Sequence, residues 1–177
     1  MSTLPTASAG ASTAASTIST AEATLQAADA GYRSKTLATW LALIGGSIGL
    51  HRFYLHGFKD AWGWLYAVPT LVGIYGVQRM LEYGQDDQLA WALLPLLGLS
   101  LSASMLTAIV YGLKPDDKWN ARFNAGGRQH QTGWLTIFGV VIALLVGAGV
   151  LMATIAFSGQ RYFEYQIEEA HKISQQP

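Results

Sequence analysis

The chain has 177 residues, enough for one ordinary domain, of which 51% are hydrophobic and only 12% charged. Soluble domains carry roughly 25% charged residues, so half the usual solvating charge is missing. Eleven Lys and Arg balance eleven Asp and Glu, which argues against a nucleic-acid or acidic partner, and the lack of cysteine excludes disulfides, thiolate catalysis and thiolate zinc sites.

Residues 1–31 are rich in Ala, Ser and Thr, with Glu22 and Asp29 their only charges. Such a stretch buries too little apolar surface to offset its ordering entropy, so a disordered tail is expected, with a loose helical turn around 21–30. It has neither a basic start nor an apolar core, and does not read as a secretory signal. Tyr32, Arg33 and Lys35 then form a collar suited to the headgroup region.

A first span is expected over 36–50, extending toward Leu55 if Arg52 reaches the interface; it is short for a bilayer. Gly45 and Gly49 are a GxxxG pair, and Ala38, Ala42 and Gly46 repeat on a neighbouring stripe. Small residues let helix backbones approach in lipid, where no hydrophobic force drives helices together. A second span over 60–77 carries Trp62, Trp64 and Tyr66 at its start and Pro69 as a kink.

The third and fourth spans, 89–113 and 133–157, contain no Asp, Glu, Lys or Arg at all. Each run of 25 residues would extend about 37 Å as a helix, enough for a hydrocarbon core of about 30 Å. Ser100, Ser104, Ala108 and Gly112 line one face of the third, and Gly139, Ala143 and Gly147 one face of the fourth. Between them, 114–132 is polar; Trp119 and Phe123, four apart, suggest a short helix on the membrane surface, and His130 reads as solvated. Residues 158–177 form a polar tail that can prolong the fourth helix into water.

The fold class expected is all-α: an integral membrane bundle of four transmembrane helices in two hairpins, after a disordered tail. Its parts are the tail 1–31, a hairpin 32–83, a second helix pair 84–157 and the tail 158–177. With the four crossings in that order, Lys and Arg divide five against six between the two faces, which leaves the orientation open.

The run Gly46-Ser47-Ile48-Gly49-Leu50-His51-Arg52-Phe53-Tyr54-Leu55, preceded by Lys35, Ala38, Leu41 and Gly45, resembles the signature of the TM2 domain family. The resemblance covers about residues 33–83. It implies two helices joined by a tight turn and no established enzymatic chemistry; animal members are linked to signalling and endocytic processes. His56 stands where the family usually has glycine, and Gly57 comes one residue late.

Within that signature, Arg52 at the membrane edge needs a partner: Asp60 across the turn, a helix-end carbonyl or an anionic headgroup. Phe53 and Tyr54 read as an interfacial wedge beside it. His51 and His56, five apart, do not share a helix face and no carboxylate cluster joins them, so no metal site is expected. No catalytic residues and no cofactor are expected either, since no GxSxG, Walker A, HExxH or CxxC pattern occurs. The functional expectation is a non-enzymatic scaffold or accessory subunit of a bacterial inner membrane. Its partners would be the bilayer and other membrane proteins or a second copy, met through Gly45, Gly46, Gly49, Gly139, Ala143 and Gly147. A small transporter or channel is the alternative.

Overall fold

The computed structural model describes residues 17–22, 31–125 and 127–175. Apart from an exposed helical stretch at 17–22 and Gly31, the expected disordered tail lies outside the described residues. The described chain is all-helical: α1 (Lys35–Gly45), a 3-10 turn (Gly46–Ile48), α2 (Leu50–His56), α3 (Ala61–Tyr83), α4 (Gln88–Leu113), α5 (Asp116–Phe123) and α6 (Trp134–Ser174). It divides into two compact units, one made of 1–33 with 116–131 and the other of 34–115 with 132–177.

In the larger unit, the stretch expected as a first span is not one helix. α1 has 11 residues, about 16 Å, and ends at the glycines. Gly49 has φ 86°, a left-handed conformation open to glycine at little cost, and the chain reverses there. A Cβ at Gly49 would also strike the Gly63 carbonyl. α2 then runs back, so that the Tyr54 hydroxyl accepts the Ser34 N–H at 2.9 Å.

α3 and α4 are antiparallel and pack closely. A side chain on Gly73 would press on the Leu97 backbone, and one on Gly76 on Leu93. Thr70, near the middle of α3, meets Ser100, near the middle of α4, at 3.0 Å. The same Thr70 hydroxyl donates to the Ser47 carbonyl at 2.7 Å, so the tip of the reversing hairpin reaches the midpoint of these two helices and no further. At the other end, the buried Lys35 ammonium donates to the Lys114 carbonyl just past the end of α4, at 2.9 Å. The starts of α1 and α3 and the end of α4 therefore lie on one side.

α6 joins this group at its first turns. The Thr36 and Thr136 hydroxyls are 2.7 Å apart, and the Trp40 indole donates to the Leu135 carbonyl. Over its 41 residues, about 61 Å, α6 is buried only at Thr136, Gly139, Ala143 and Gly147. Ala42, Met105, Ala108 and Ala143 form the core between α1, α4 and α6. From Tyr165 to Gln175 every residue is exposed.

The smaller unit ties Tyr32 and Arg33 to α5 and the loop after it. Trp119 is fully buried and its indole donates to the Arg33 carbonyl at 2.9 Å; Asn124 Oδ1 accepts from the Arg33 N–H at 2.8 Å. Asn120 accepts from His130 N and donates to the His130 carbonyl. Trp119 is thus a core residue rather than a membrane-surface anchor. His130, expected in solvent, is buried with its Nδ1 2.7 Å from the Tyr32 hydroxyl.

Candidate functional site

Two features bear on function, and both grow from the glycine signature. The first is the turn between α2 and α3. Arg52 Nε donates to Asp60 Oδ2 at 2.7 Å, and Asp60 Oδ1 accepts from Trp62 N, capping α3. Gly57 bends the chain with φ 83° and ψ 171°, and the Trp64 indole donates to the Phe58 carbonyl at 3.2 Å. Phe53 stacks on Phe58 at 5.4 Å and meets Trp64 edge-on at 5.3 Å, so it closes the turn. Arg52 holds the Asp60 carboxyl below its ordinary value, chiefly through this hydrogen bond.

The same turn recurs 27 residues later, between α3 and α4. Arg79 Nε donates to Asp87 Oδ2 at 2.7 Å and Nη2 to Oδ1 at 3.0 Å; Asp87 caps α4 through Ala90 N. Gly84 has φ 87° and ψ −174°, and the Trp91 indole donates to the Gln85 carbonyl at 2.6 Å. Both turns read Arg-x4-Gly-x2-Asp-x3-Trp. This repeat escaped the sequence reading, although a search for internal periodicity would have found it.

The second feature is the polar interior at the hairpin tip. His51 is 1% exposed, and its Nδ1 has no hydrogen-bond partner. It lies beside Gly46 and Ser104: a Cβ on Gly46 would be 3.4 Å from His51 Nδ1 and 2.7 Å from the Ser104 Cβ. The rings of Tyr66 and Tyr111 flank the imidazole at 5.4 and 5.7 Å. One turn along α4, Thr70 and Ser100 have two hydroxyl protons for the carbonyls of Ser47, Tyr66 and Leu97 and for each other. Ser47, His51, Thr70, Ser100 and Ser104 are all buried.

The residues 31–79 match the TM2 domain. The TM2 segment takes in α1, α2 and most of α3, and it stops at Arg79, the first residue of the second turn. No curated protein and no solved structure matches the chain. Outside the TM2 segment, α4 and α6 are long and apolar enough to cross a membrane. With the TM2 match, they make this a membrane protein.

The expected packing glycines lie inside the chain. Gly45 is pressed by Leu50, Gly46 by Ser104, Gly139 by Thr39 and Trp40, and Gly147 by Met105, while Ala143 is fully buried. Among the described residues, no group of three or more His, Asp and Glu is placed to hold a metal ion. A second orphan stands at the far end of α6: Arg161 Nε is buried without a partner, though its Nη1 pairs with Glu164 at 2.6 Å and its guanidinium lies over Trp91.

Proposed function

We propose that this protein is a multi-pass, non-enzymatic scaffold or accessory subunit of a bacterial inner membrane. In this reading α3, α4 and α6 cross the bilayer, while α1 and α2 dip to its midplane and return. Backbone that leaves the helical pattern at that depth is tolerated only where protein covers it, as α3 and α4 cover the 3-10 turn.

The observation that carries the scaffold reading is the free end of α6. Its small-residue face is consumed within the chain, yet the helix continues past Tyr165 with Ile167 and Ile173 exposed. A helix that leaves its own bundle with apolar side chains on it is suited to a neighbouring protein or a second copy. Cross-linking from position 167, followed by native mass spectrometry in mild detergent, tests this. A cross-linked partner or dimer supports it; a bare monomer counts against it.

The returning hairpin also supports an orientation. It moves Arg33 and Lys35 to the side of Arg52, Lys59, Lys114, Lys118, Arg122 and Arg128, making eight Lys and Arg against three on the side of Arg79, Arg161 and Lys172. That excess supports a cytoplasmic location for the side on which α1 begins. A small transporter or channel is the second reading, favoured by one observation: the broken hairpin carries buried polar groups to mid-depth, as helices at transport sites do.

A further inference from the structure

We infer that the seam between α4 and α6 holds one phospholipid with an ethanolamine headgroup. Its phosphate sits on Arg161, its ammonium on Glu164, and one acyl chain ends in the groove below. The inference rests on the reading in which α4 and α6 cross the bilayer, and goes beyond it by naming what the seam binds.

The two helices run antiparallel along matched contacts. Arg161 lies over Trp91, a Cβ on Gly98 would strike Thr154, and one on Gly147 would press on Met105. Trp134, at the start of α6, is 27 residues from Arg161, about 40 Å of helix. That length matches a bilayer with its headgroup layers, so in a crossing α6 the Arg161 guanidinium stands at headgroup depth.

A cavity of about 280 Å³ opens there, lined by Gln88, Trp91, Ser158, Arg161, Tyr162 and Tyr165. Arg161 is the one charged side chain among its described lining residues. It is only 13% exposed, and its guanidinium carbon stands 5.1 Å from the Trp91 ring and 5.7 Å from that of Phe157, which hold it in place. Nε is covered. Nη1 gives one N–H to Glu164 at 2.6 Å, while Gln85 is 3.5 Å from Nη2, too far for a good hydrogen bond. A guanidinium has five N–H groups, so the two outer nitrogens keep donors in the planar fork that suits a phosphate.

Glu164 selects the rest of the headgroup. Its Oε1 accepts from Gln160 at 2.9 Å and its Oε2 from Arg161, and each oxygen keeps a lone pair. An ethanolamine ammonium, two carbons beyond the phosphate, can donate to it. A choline has no N–H to give, and a glycerol headgroup brings the same phosphate with nothing to balance the carboxylate. On the neighbouring turn, Asp87 is already taken by Arg79.

A groove of about 400 Å³, with no charged residue in its lining, lies on the same flank of the seam. Gln88 and Ala92 of the cavity and Leu99, Ala103 and Leu106 of the groove follow one another on α4 by four, seven, four and three residues. On α6, Tyr165, Tyr162 and Ser158 lead to Leu151, Ala148 and Leu144 by steps of three, four, seven, three and four. Such steps keep to one helix face. The groove begins at Leu151, about 15 Å of helix below Arg161, within reach of a chain that fills half of a hydrocarbon core of about 30 Å. A free phosphate would have no use for it.

The test places the full-length protein in nanodiscs of equal parts phosphatidylethanolamine, phosphatidylcholine and phosphatidylglycerol. Native mass spectrometry then reads which lipid stays bound as the disc is stripped away. One phosphatidylethanolamine per chain is expected, retained about tenfold over either of the others. Glu164→Gln should erase the preference over phosphatidylcholine. Ala148→Trp, which fills the groove and leaves the headgroup contacts alone, should remove retention, as should Arg161→Gln. If Arg161→Gln does not fold, the other two variants carry the test. Equal retention of the three lipids, or retention unmoved by Ala148→Trp and Glu164→Gln, overturns the site while leaving α4 and α6 as crossings. A chain that does not enter the discs removes the crossings, and the site with them.

Discussion

The Tyr54 hydroxyl accepts the Ser34 N–H at 2.9 Å, so α2 ends beside the start of α1. Had the chain continued in one direction, twenty residues of helix would separate these groups by about 30 Å. That one hydrogen bond distinguishes a returning hairpin from a crossing. It also fixes the first residue of the larger unit. Tyr54→Phe removes the acceptor while keeping the ring, and should cost about 0.5–1.5 kcal/mol. A thermal melt followed by size exclusion in detergent reads it.

Gly49 and Gly57 both have positive φ, but only Gly49 lacks room for a side chain, since Gly57 has nothing within 4 Å of a Cβ. Gly57→Ala should therefore show only conformational strain, about 1–3 kcal/mol. Gly49→Ala adds a clash with the Gly63 carbonyl and should lower the melting temperature further. Equal losses in the two variants would mean that α2 does not pack against the start of α3.

Asp60 and Asp87 both titrate below the ordinary value of 3.8, in each case chiefly because an arginine donates to the carboxylate. A carboxylate with a depressed folded-state pKa stabilises the protein above its unfolded pKa, and that contribution is lost as pH falls through the depressed value. Thermal stability should accordingly drop on acidification below pH 3.8. Asp60→Asn and Asp87→Asn should each flatten that decline, and the double variant should flatten it most. Melting curves across the acid range check this.

The absence of native cysteine makes the orientation directly readable. If the proposed three-crossing arrangement and orientation hold, Lys118→Cys should be shielded from a membrane-impermeant maleimide in intact cells, and Lys172→Cys should react. The opposite labelling would reverse the assignment. Labelling of both would place them on one face and remove the three-crossing arrangement.

Much of this was legible in the residues. The two uncharged runs named α4 and the first part of α6, and Asp60 stood among three partners open to Arg52, beside a helix-end carbonyl and an anionic headgroup; the glycines read as a packing face within a span, not as its break. The reversal at Gly49 was not legible, because hydropathy sums over 36–55 without regard to direction. Only the tertiary partners of Tyr54 and Ser47 reveal it. Trp119 and His130 were misplaced for a related reason: a polar segment reads as solvated until Arg33 and Tyr32 are found against it. Gly73 and Gly76 gave no signal beyond being glycines, since their role depends on which residues of α4 they face.

The repeated Arg-x4-Gly-x2-Asp-x3-Trp turns sit at the two ends of α3, whose 23 residues hold them about 34 Å apart. Each turn is braced by its own ion pair and its own indole. In the proposed arrangement, where α3 crosses the bilayer, the distance between them would work as a built-in gauge of bilayer thickness: in a thinner membrane α3 would have to tilt, and the hairpin hung from its first turn would tilt with it.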